Sequence, residues 1–373
     1  MRSNLFIVSL FVVGCIDTTP MTVEEMNQQL GSGPTDGLLC SIADLDVLPA
    51  ETLRMHVIDV GQGDAIWIQT PWEVDQDSES HNILIDTGGP GDYPNSSPGG
   101  EIVVDYMLRR GMGFGDPLDA VVITHAHEDH FGGLPVVASA FAVQRYADPG
   151  GLIGGQPFLD VRKDIVDEVM ATGGDVDSPA ADTLASSLFS STDLFGNRVS
   201  AQLLWAREQS LSGNVDGLSG TDVNNTSVVF AVQWPPEGKA ESRQILLMGD
   251  LESAGEDLLI LEAASNSHSL ASHILKVGHH GSSTSSGNSF LAQVLPVEDP
   301  NRWAVISSGR QSFSGVTLPT TETVERLGEL LPDYHLLSTA NRDEEKEAGD
   351  EHNDDHVVFT ITAEGTVTGC YAP

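Results

Sequence analysis

Short runs of aliphatic and β-branched residues, each stopped by glycine or a polar cluster, recur along most of the chain. Met55–Val60 (MHVIDV) and Ala65–Thr70 (AIWIQT) read as two strands joined by a GQGD turn, and Asn82–Thr87 (NILIDT) reads as a third, stopped by Gly88 and Gly89. The period then changes: Ile102, Val103, Tyr106 and Met107 fall on one stripe, which predicts a helix over Glu101–Arg110. Val121–Thr124, Val228–Gln233, Ile245–Met248, His273–Val277, Trp303–Ile306 and Val357–Ile361 read as further strands, and Thr320–Leu331 as a helix between the last two. Strands and helices mix through one long unit, the pattern of layered α/β architecture. Residues 175–224 are polar and rich in Gly, Ser and Asp, which predicts an irregular insertion. Asn341–His356 sets eight acids against Arg342 and Lys346 without EF-hand spacing, and reads as a solvated loop.

The beginning of the chain has a different character. Met1–Asn4 precedes an apolar run, Leu5 to Val13, too short to cross a bilayer, which takes roughly 20 helical residues. It fits the core of a secretory signal over residues 1–14, and VVGC at 12–15 resembles a bacterial lipobox, in which Cys15 would carry lipid. The alternatives are an ordinary signal peptide cut nearby and a start assigned at the wrong Met. Residues 15–50 have few large apolar side chains and read as a tether, with one domain over residues 51–373. The expectation is an exported protein, lipid-anchored to a bacterial membrane on its periplasmic or extracellular face. With Cys15 lipidated, Cys40 and Cys370 remain of the three cysteines. They flank the domain, and domain ends often lie close together, so a Cys40–Cys370 bridge is expected; two free thiols are the alternative.

Charge narrows the partners. Lys and Arg number 17 against 55 Asp and Glu, a formal charge of −38. Most of these acids read as solvating surface, and such a surface disfavours long nucleic acid as a tight partner, because phosphate contacts normally come from Lys and Arg.

Candidate chemistry sits where apolar runs end. VVIT is followed by His125, Ala126, His127, Glu128, Asp129 and His130; ILLMGDLE places Asp250 behind another run; ILKVGHHGSS places His279 and His280 behind a third. Three strand ends each delivering nitrogen and oxygen ligands, without cysteine, suit zinc or manganese rather than a thiolate site. Isolated surface or core histidines would have to arise three times independently.

HAHEDH matches the His-x-His-x-Asp-His signature of the metallo-β-lactamase superfamily. Together with HVIDVGQGDAIWIQT, NILIDTGG, LLMGD and LKVGHHGSS, it resembles the hydrolase domain of ComEC-type competence proteins over about residues 53–370. The resemblance implies an αββα four-layer sandwich with two divalent metal ions at one edge. It implies His125, His127 and Asp250 around the first ion, and Asp129, His130, Asp250 and His279 around the second. His279 is preferred to His280 because it comes first after the strand. Asp129 and Asp250 would be catalytic as well as ligating. Asp86 would orient the histidine loop or cap its strand. Gln62, Asp64, Asn225 and His280 would line the cleft or support it. Lys276 would meet a substrate phosphate or be an ordinary surface lysine.

Two departures stand out. Many superfamily members use another His between the hexad and the bridging Asp, whereas this chain has none from residue 131 to 267; NNTS (224–227) occupies that interval. The subgroup's late His-Pro reads Leu318-Pro319 here. The resemblance therefore implies a metal-dependent hydrolase, with a small phosphodiester as the expected substrate. A lactonase or β-lactamase is the rival enzyme, although the Cys ligand of one major β-lactamase class is missing. A non-catalytic, metal-binding envelope lipoprotein is the rival of another class.

Overall fold

The computed structural model describes residues 39–41, 45–73, 80–91, 98–150, 154–177, 195, 198–207, 211, 219–235, 242–296, 301–309, 312–313, 315–340 and 355–372. The signal segment, Cys15, most of the tether and residues 341–354 of the acidic run lie outside them.

Two sheets face each other. The eight-stranded sheet runs Val367–Ala372, His356–Ile361, Leu53–Val57, Ile66–Gln69, Asn82–Ile85, Ala120–Val122, Arg145–Ala147, Asp175–Asp177. The six-stranded sheet runs Leu336–Ser338, Trp303–Ile306, Ile274–Lys276, Arg243–Leu247, Val229–Trp234, Ser200–Trp205. Neighbouring residues of one strand belong to different cores. Val122, Ile245, Leu247, Ile274 and Val305 pack between the sheets. Val121 and Ile123 pack outward against the Gly99–Arg109, Leu134–Ala140 and Gln156–Ala171 helices. Leu246, Leu275 and Ala304 pack outward against Ser253–Ser265, Asn288–Val294 and Thr321–Leu330. Side chains alternate across a strand, so a strand covered on both faces must be apolar at every position. That is why the strands read as continuous runs, and it produces the four αββα layers.

Topology decides where the strand ends meet. Asn82–Ile85 and Ala120–Val122 are parallel, so their C-terminal ends share one edge. Ile66–Gln69 is antiparallel to Asn82–Ile85, which brings its N-terminal end to the same edge. In the other sheet Arg243–Leu247, Ile274–Lys276 and Trp303–Ile306 are mutually parallel. Bonds between the sheets close this edge: Val228 N–H donates to the Thr124 carbonyl (2.9 Å) and Ser307 Oγ to the Gly63 carbonyl (2.7 Å).

Part of the stretch expected to be irregular is ordered. Ser200–Trp205 is the edge strand of the smaller sheet, Asp175–Asp177 ends the larger one, and Gly220–Asn224 is a short helix with a Ser219/Asp222 capping box. The two joined strands also end earlier than expected, at Val57, and the second starts at Ile66, leaving an eight-residue connection that holds GQGD. The domain reaches back into the expected tether. Leu39 bridges to Tyr371, Arg54 Nη1 donates to the Leu45 carbonyl (3.0 Å), and Cys40 is bonded to Cys370 with their Cα atoms 5.2 Å apart.

His356 shows how a buried polar group outside the histidine cluster is satisfied. It is 7% exposed, its ring lies tilted against that of Tyr106 with the centroids 4.2 Å apart, and its Nδ1 accepts the Asp59 backbone N–H (2.9 Å). An accepting Nδ1 requires the neutral ring. Burial, then the charges of Arg110 and Arg109, pull its pKa down to about 3. The folded value lies below the unfolded one near 6.5, so between these values the unfolded chain binds more protons and stability falls as pH falls. This group alone should remove on the order of 4 kcal/mol between pH 6.5 and 3. Urea titrations of wild type and His356→Gln should converge toward acid pH; parallel curves would show that His356 is not held neutral.

Candidate metal centre

The edge described above gathers four imidazoles and three carboxylates. The chain leaves Ala120–Val122, passes Thr124 and delivers His125, His127, Asp129 and His130 from one turn, with His125 and His130 fully buried. Asp86, just beyond Asn82–Ile85, organises that turn from a left-handed backbone (φ 59°), which a short polar residue tolerates better than most. Its Oδ1 accepts the Thr124 N–H (2.7 Å), and its Oδ2 accepts both Thr124 Oγ1–H (2.7 Å) and His130 Nδ1–H (2.8 Å). The expectation that Asp86 orients the histidine loop describes these bonds.

These bonds dictate tautomers. With its Nδ1–H given to Asp86, a neutral His130 turns the lone pair of Nε2 into the site. His280 Nδ1 donates to the Ser307 carbonyl (2.9 Å), so its Nε2 also presents a lone pair. The two Nε2 atoms lie 3.2 Å apart, and Asp250 Oδ2 is 3.3 Å from one and 3.2 Å from the other. Asp129 Oδ2 is 3.4 Å from His280 Nε2. On the other side, Asp250 Oδ2 is 3.7 Å from His125 Nε2, which faces His127 Nδ1 at 3.0 Å. The buried Oδ1 atoms of Asp250 and Asp64 have no hydrogen-bond partner.

With both imidazoles neutral, these acceptors converge without donors and call for positive charge, which protons supply in the metal-free protein and a bound cation would supply in their place. Two groups of ligand atoms meet that requirement, each drawn within 4.8 Å: Asp64, His130, Asp250 and His280, and His125, His127 and Asp250. Asp250 belongs to both. The donor set is nitrogen and oxygen only, which fits zinc or manganese, so these residues fit the divalent ions the fold implies. The electrostatics agree in direction. Burial opposes charge on His130 and His280, but Asp250 and the neighbouring carboxylates hold both well above the ordinary histidine value. Burial lowers His125 and His127. Asp129 and Asp250 are held below the usual carboxylate range, burial opposing and the surrounding imidazoles prevailing.

Several sequence expectations are corrected here. His280, not His279, enters the cage. Both residues have left-handed backbones (φ 48° and 52°), and the turn sends their rings in different directions. His279 stays partly exposed, with Nδ1 3.0 Å from Thr284 Oγ1 and 3.5 Å from Glu252 Oε1. Asp64 is buried against the ligands rather than on the cleft surface. Lys276 does not reach the cleft. Its side chain is fully buried between the sheets, because it shares the inward face of its strand with Ile274, and Nζ donates to Asp64 Oδ2 (2.7 Å) and the Val277 carbonyl (2.9 Å). Within NNTS, Asn224 faces the cleft, while Asn225 is a strut: its Nδ2 bonds the Thr221 carbonyl and its Oδ1 accepts the Glu252 N–H. Ser227 Oγ accepts the Asp250 N–H (3.0 Å).

The cage opens into a cleft of about 970 Å³. Gln62, His127, Glu128, Asp129, Asn224, Glu252, His279, Ser282, Ser283, Thr284, Val316 and Leu318 form its walls, and among the described residues no Lys or Arg does. Leu318 thus stands on the cleft wall, where the resemblance led one to look for a histidine. Glycine is obligatory at Gly63 of GQGD: its φ is 133°, and a Cβ there would lie 2.3 Å from the Asp129 carbonyl oxygen. Sequence reading missed Thr124, Glu252 and Ser307. The first two adjoin the motifs directly; nothing local marks Ser307, which acts through its carbonyl.

The Lys276–Asp64 pair generates a prediction. Removing one partner of a buried pair strands the other charge, at a cost of about 3–5 kcal/mol. Lys276→Met should lower unfolding free energy by that order in chelator, and Lys276→Met/Asp64→Asn should recover part of it. Urea titration checks both; an unchanged Lys276→Met midpoint would contradict the pairing.

Comparisons with known proteins agree with this picture. Residues 58–182 match the metallo-beta-lactamase superfamily. ComE operon protein 3 of Bacillus subtilis (strain 168) is 25% identical over 291 residues, 74% of this chain and 31% of that protein. Competence protein ComA of Neisseria gonorrhoeae is 26% identical over 270 residues, 71% of this chain and 28% of that one. The chain spans less than a third of the length of either relative. Similar solved structures include a diphosphatase from the PhnP family (13% identity, TM-score 0.33, 69% of this chain and 86% of that one). A metallo hydrolase from Ignicoccus hospitalis is another (16% identity, TM-score 0.37, 83% and 98%).

Proposed function

Starting from a chain that has the metallo-β-lactamase fold and resembles the hydrolase domain of ComEC-type competence proteins, we propose that it is a metal-dependent phosphodiesterase acting outside the cytoplasm. The observation that carries this reading is the sharing of Asp250 between two ligand groups at the floor of one cleft. Zinc or manganese ions held there would supply Lewis acidity and a water ionised near neutral pH, chemistry suited to in-line attack at phosphorus. The chain's own part is positional. Asp86 and the Ser307 carbonyl hold His130 and His280 with their lone pairs inward. Asp250 keeps one oxygen between the two imidazole pairs. The hydroxyls of Ser282, Ser283 and Thr284 offer polar contacts along the wall.

The substrate we favour is small. No Lys or Arg among the described residues lines the cleft, and the chain carries a formal charge of −38, so a long polyanion would gain little beyond its contact with the ions. A small phosphodiester, neutral overall or zwitterionic, meets no such penalty. Export is supported by the Cys40–Cys370 bond, which belongs in an oxidising compartment, and by the apolar run before Cys15.

Bis-nitrophenyl phosphate with zinc or manganese is the direct assay. Wild type should turn it over and leave a β-lactam nearly untouched, while His127→Ala and a chelated control should lose the activity together. Equal rates in all three samples would eliminate metal catalysis and leave the non-catalytic lipoprotein reading. For the anchor, Cys15→Ala should move the full chain from the membrane fraction to the soluble one; unchanged fractionation would exclude lipid on Cys15.

A further inference from the structure

Glu256 lies in the first turn of the Ser253–Ser265 helix, 1% exposed, and takes no part in the cage or the cleft wall. Its carboxylate is spent on another segment: Oε1 accepts the Ser286 N–H (2.5 Å) and Oε2 accepts the Gly287 N–H (3.0 Å). Those amides close the loop that leaves His280 and forms one wall of the cleft. The loop is stretched between unfavourable backbones, with His279 and His280 left-handed at its start and Ser286 left-handed at its end (φ 54°). None of the three is glycine, and such conformations persist only where the surroundings over-determine them. Further ties from neutral groups include Ser253 N–H and Oγ–H to the Thr284 carbonyl (2.9 and 2.7 Å), Ser285 Oγ to the Gly278 carbonyl (2.8 Å), Thr323 Oγ1 to the Ser282 carbonyl (3.2 Å), and Thr320 N–H and Oγ–H to the Gly281 carbonyl (3.0 and 3.1 Å). Glu256 adds a carboxyl that binds two successive amides.

We propose that Glu256 is a positioning residue of the metal centre: by holding Ser286 and Gly287 it keeps the loop in the conformation that aims His280 into the cage. This rests on reading the cage as a metal site.

Chemistry favours a clean test. Burial pushes Glu256 up to about 7, its two amide bonds and the Arg326 charge opposing and Asp257 reinforcing the rise. A neutral side chain therefore suits the fold at least as well as a carboxylate, and Glu256→Gln should fold. It keeps one acceptor oxygen and points an amide NH2 at the second N–H. Cobalt(II) is the probe, since its visible absorption reports ligand geometry at the metal itself.

The expected result is a metal-free Glu256→Gln protein that melts close to wild type, binds cobalt about tenfold more weakly, the loss seen when a group supporting a ligand is removed, and shows altered visible bands and faster amide exchange at Ser286 and Gly287. Ser286→Gly relieves the left-handed residue, so comparing it with Ser286→Gly/Glu256→Gln repeats the test in a less strained loop; the same direction of change is expected there. Unchanged cobalt affinity and spectrum, whether or not the melting temperature falls, would overturn the positioning role and leave the metal site standing. A wild type that takes up no cobalt would overturn the metal site, and this role with it.

Discussion

The site depends on one hydrogen-bonding constraint: the outer nitrogens of His130 and His280 are committed before their inner nitrogens meet anything. Asp86 takes the Nδ1–H of His130, and a backbone carbonyl, which can only accept, takes that of His280. Two lone pairs are then driven to within 3.2 Å of each other beside Asp250. Left to itself such an arrangement is repulsive, and buried polar groups without complementary partners are costly. A cation reverses the sign. The outer bonds are made by strand-end residues of both sheets, so the sandwich is the device that brings the acceptors together.

The same logic explains why the surroundings are so tightly built. The Gly63 position leaves no room for a side chain beside the Asp129 carbonyl, Asp64 is neutralised from across the sheets by Lys276, and Ser227 supports the Asp250 amide. Left-handed backbone at Asp86, His279 and His280 puts strain where the ligands emerge. Each such residue costs about 1–2 kcal/mol and is held by the packing around it. The cleft above carries acids and hydroxyls but no described Lys or Arg, so recognition of a substrate anion falls to whatever the cage holds.

Much of this was legible in the sequence. Strands covered on both faces appear as unbroken apolar runs, and Trp303–Ile306 and Asn82–Ile85 could be read from that alone. Three-residue strands such as Arg145–Ala147 and Leu336–Ser338 are too short to show a period, and Ser200–Trp205 was hidden by polar neighbours. The Gln156–Ala171 helix carries its buried stripe at Phe158, Ile165 and Val169, a signal present but sparse. Within the site, residue type and strand-end position pointed to His125, His127, Asp129, His130, Asp250 and Asp86. The choice between His279 and His280 turned on φ values that no spacing rule supplies, and the fate of Lys276 turned on which face of a strand looks inward. Asp64 and Lys276 are 212 residues apart, and only the approach of the two sheets makes them partners.

The most direct test of the acceptor-cage account is the metal content of protein purified without chelator, by elemental analysis and native mass spectrometry, in wild type and Asp250→Ala. The account predicts up to two divalent ions per wild-type chain and depletion of both sites in the variant, because Asp250 serves both ligand groups. A wild type devoid of metal after incubation with zinc or manganese, or an Asp250→Ala protein that retains the full complement, would contradict it.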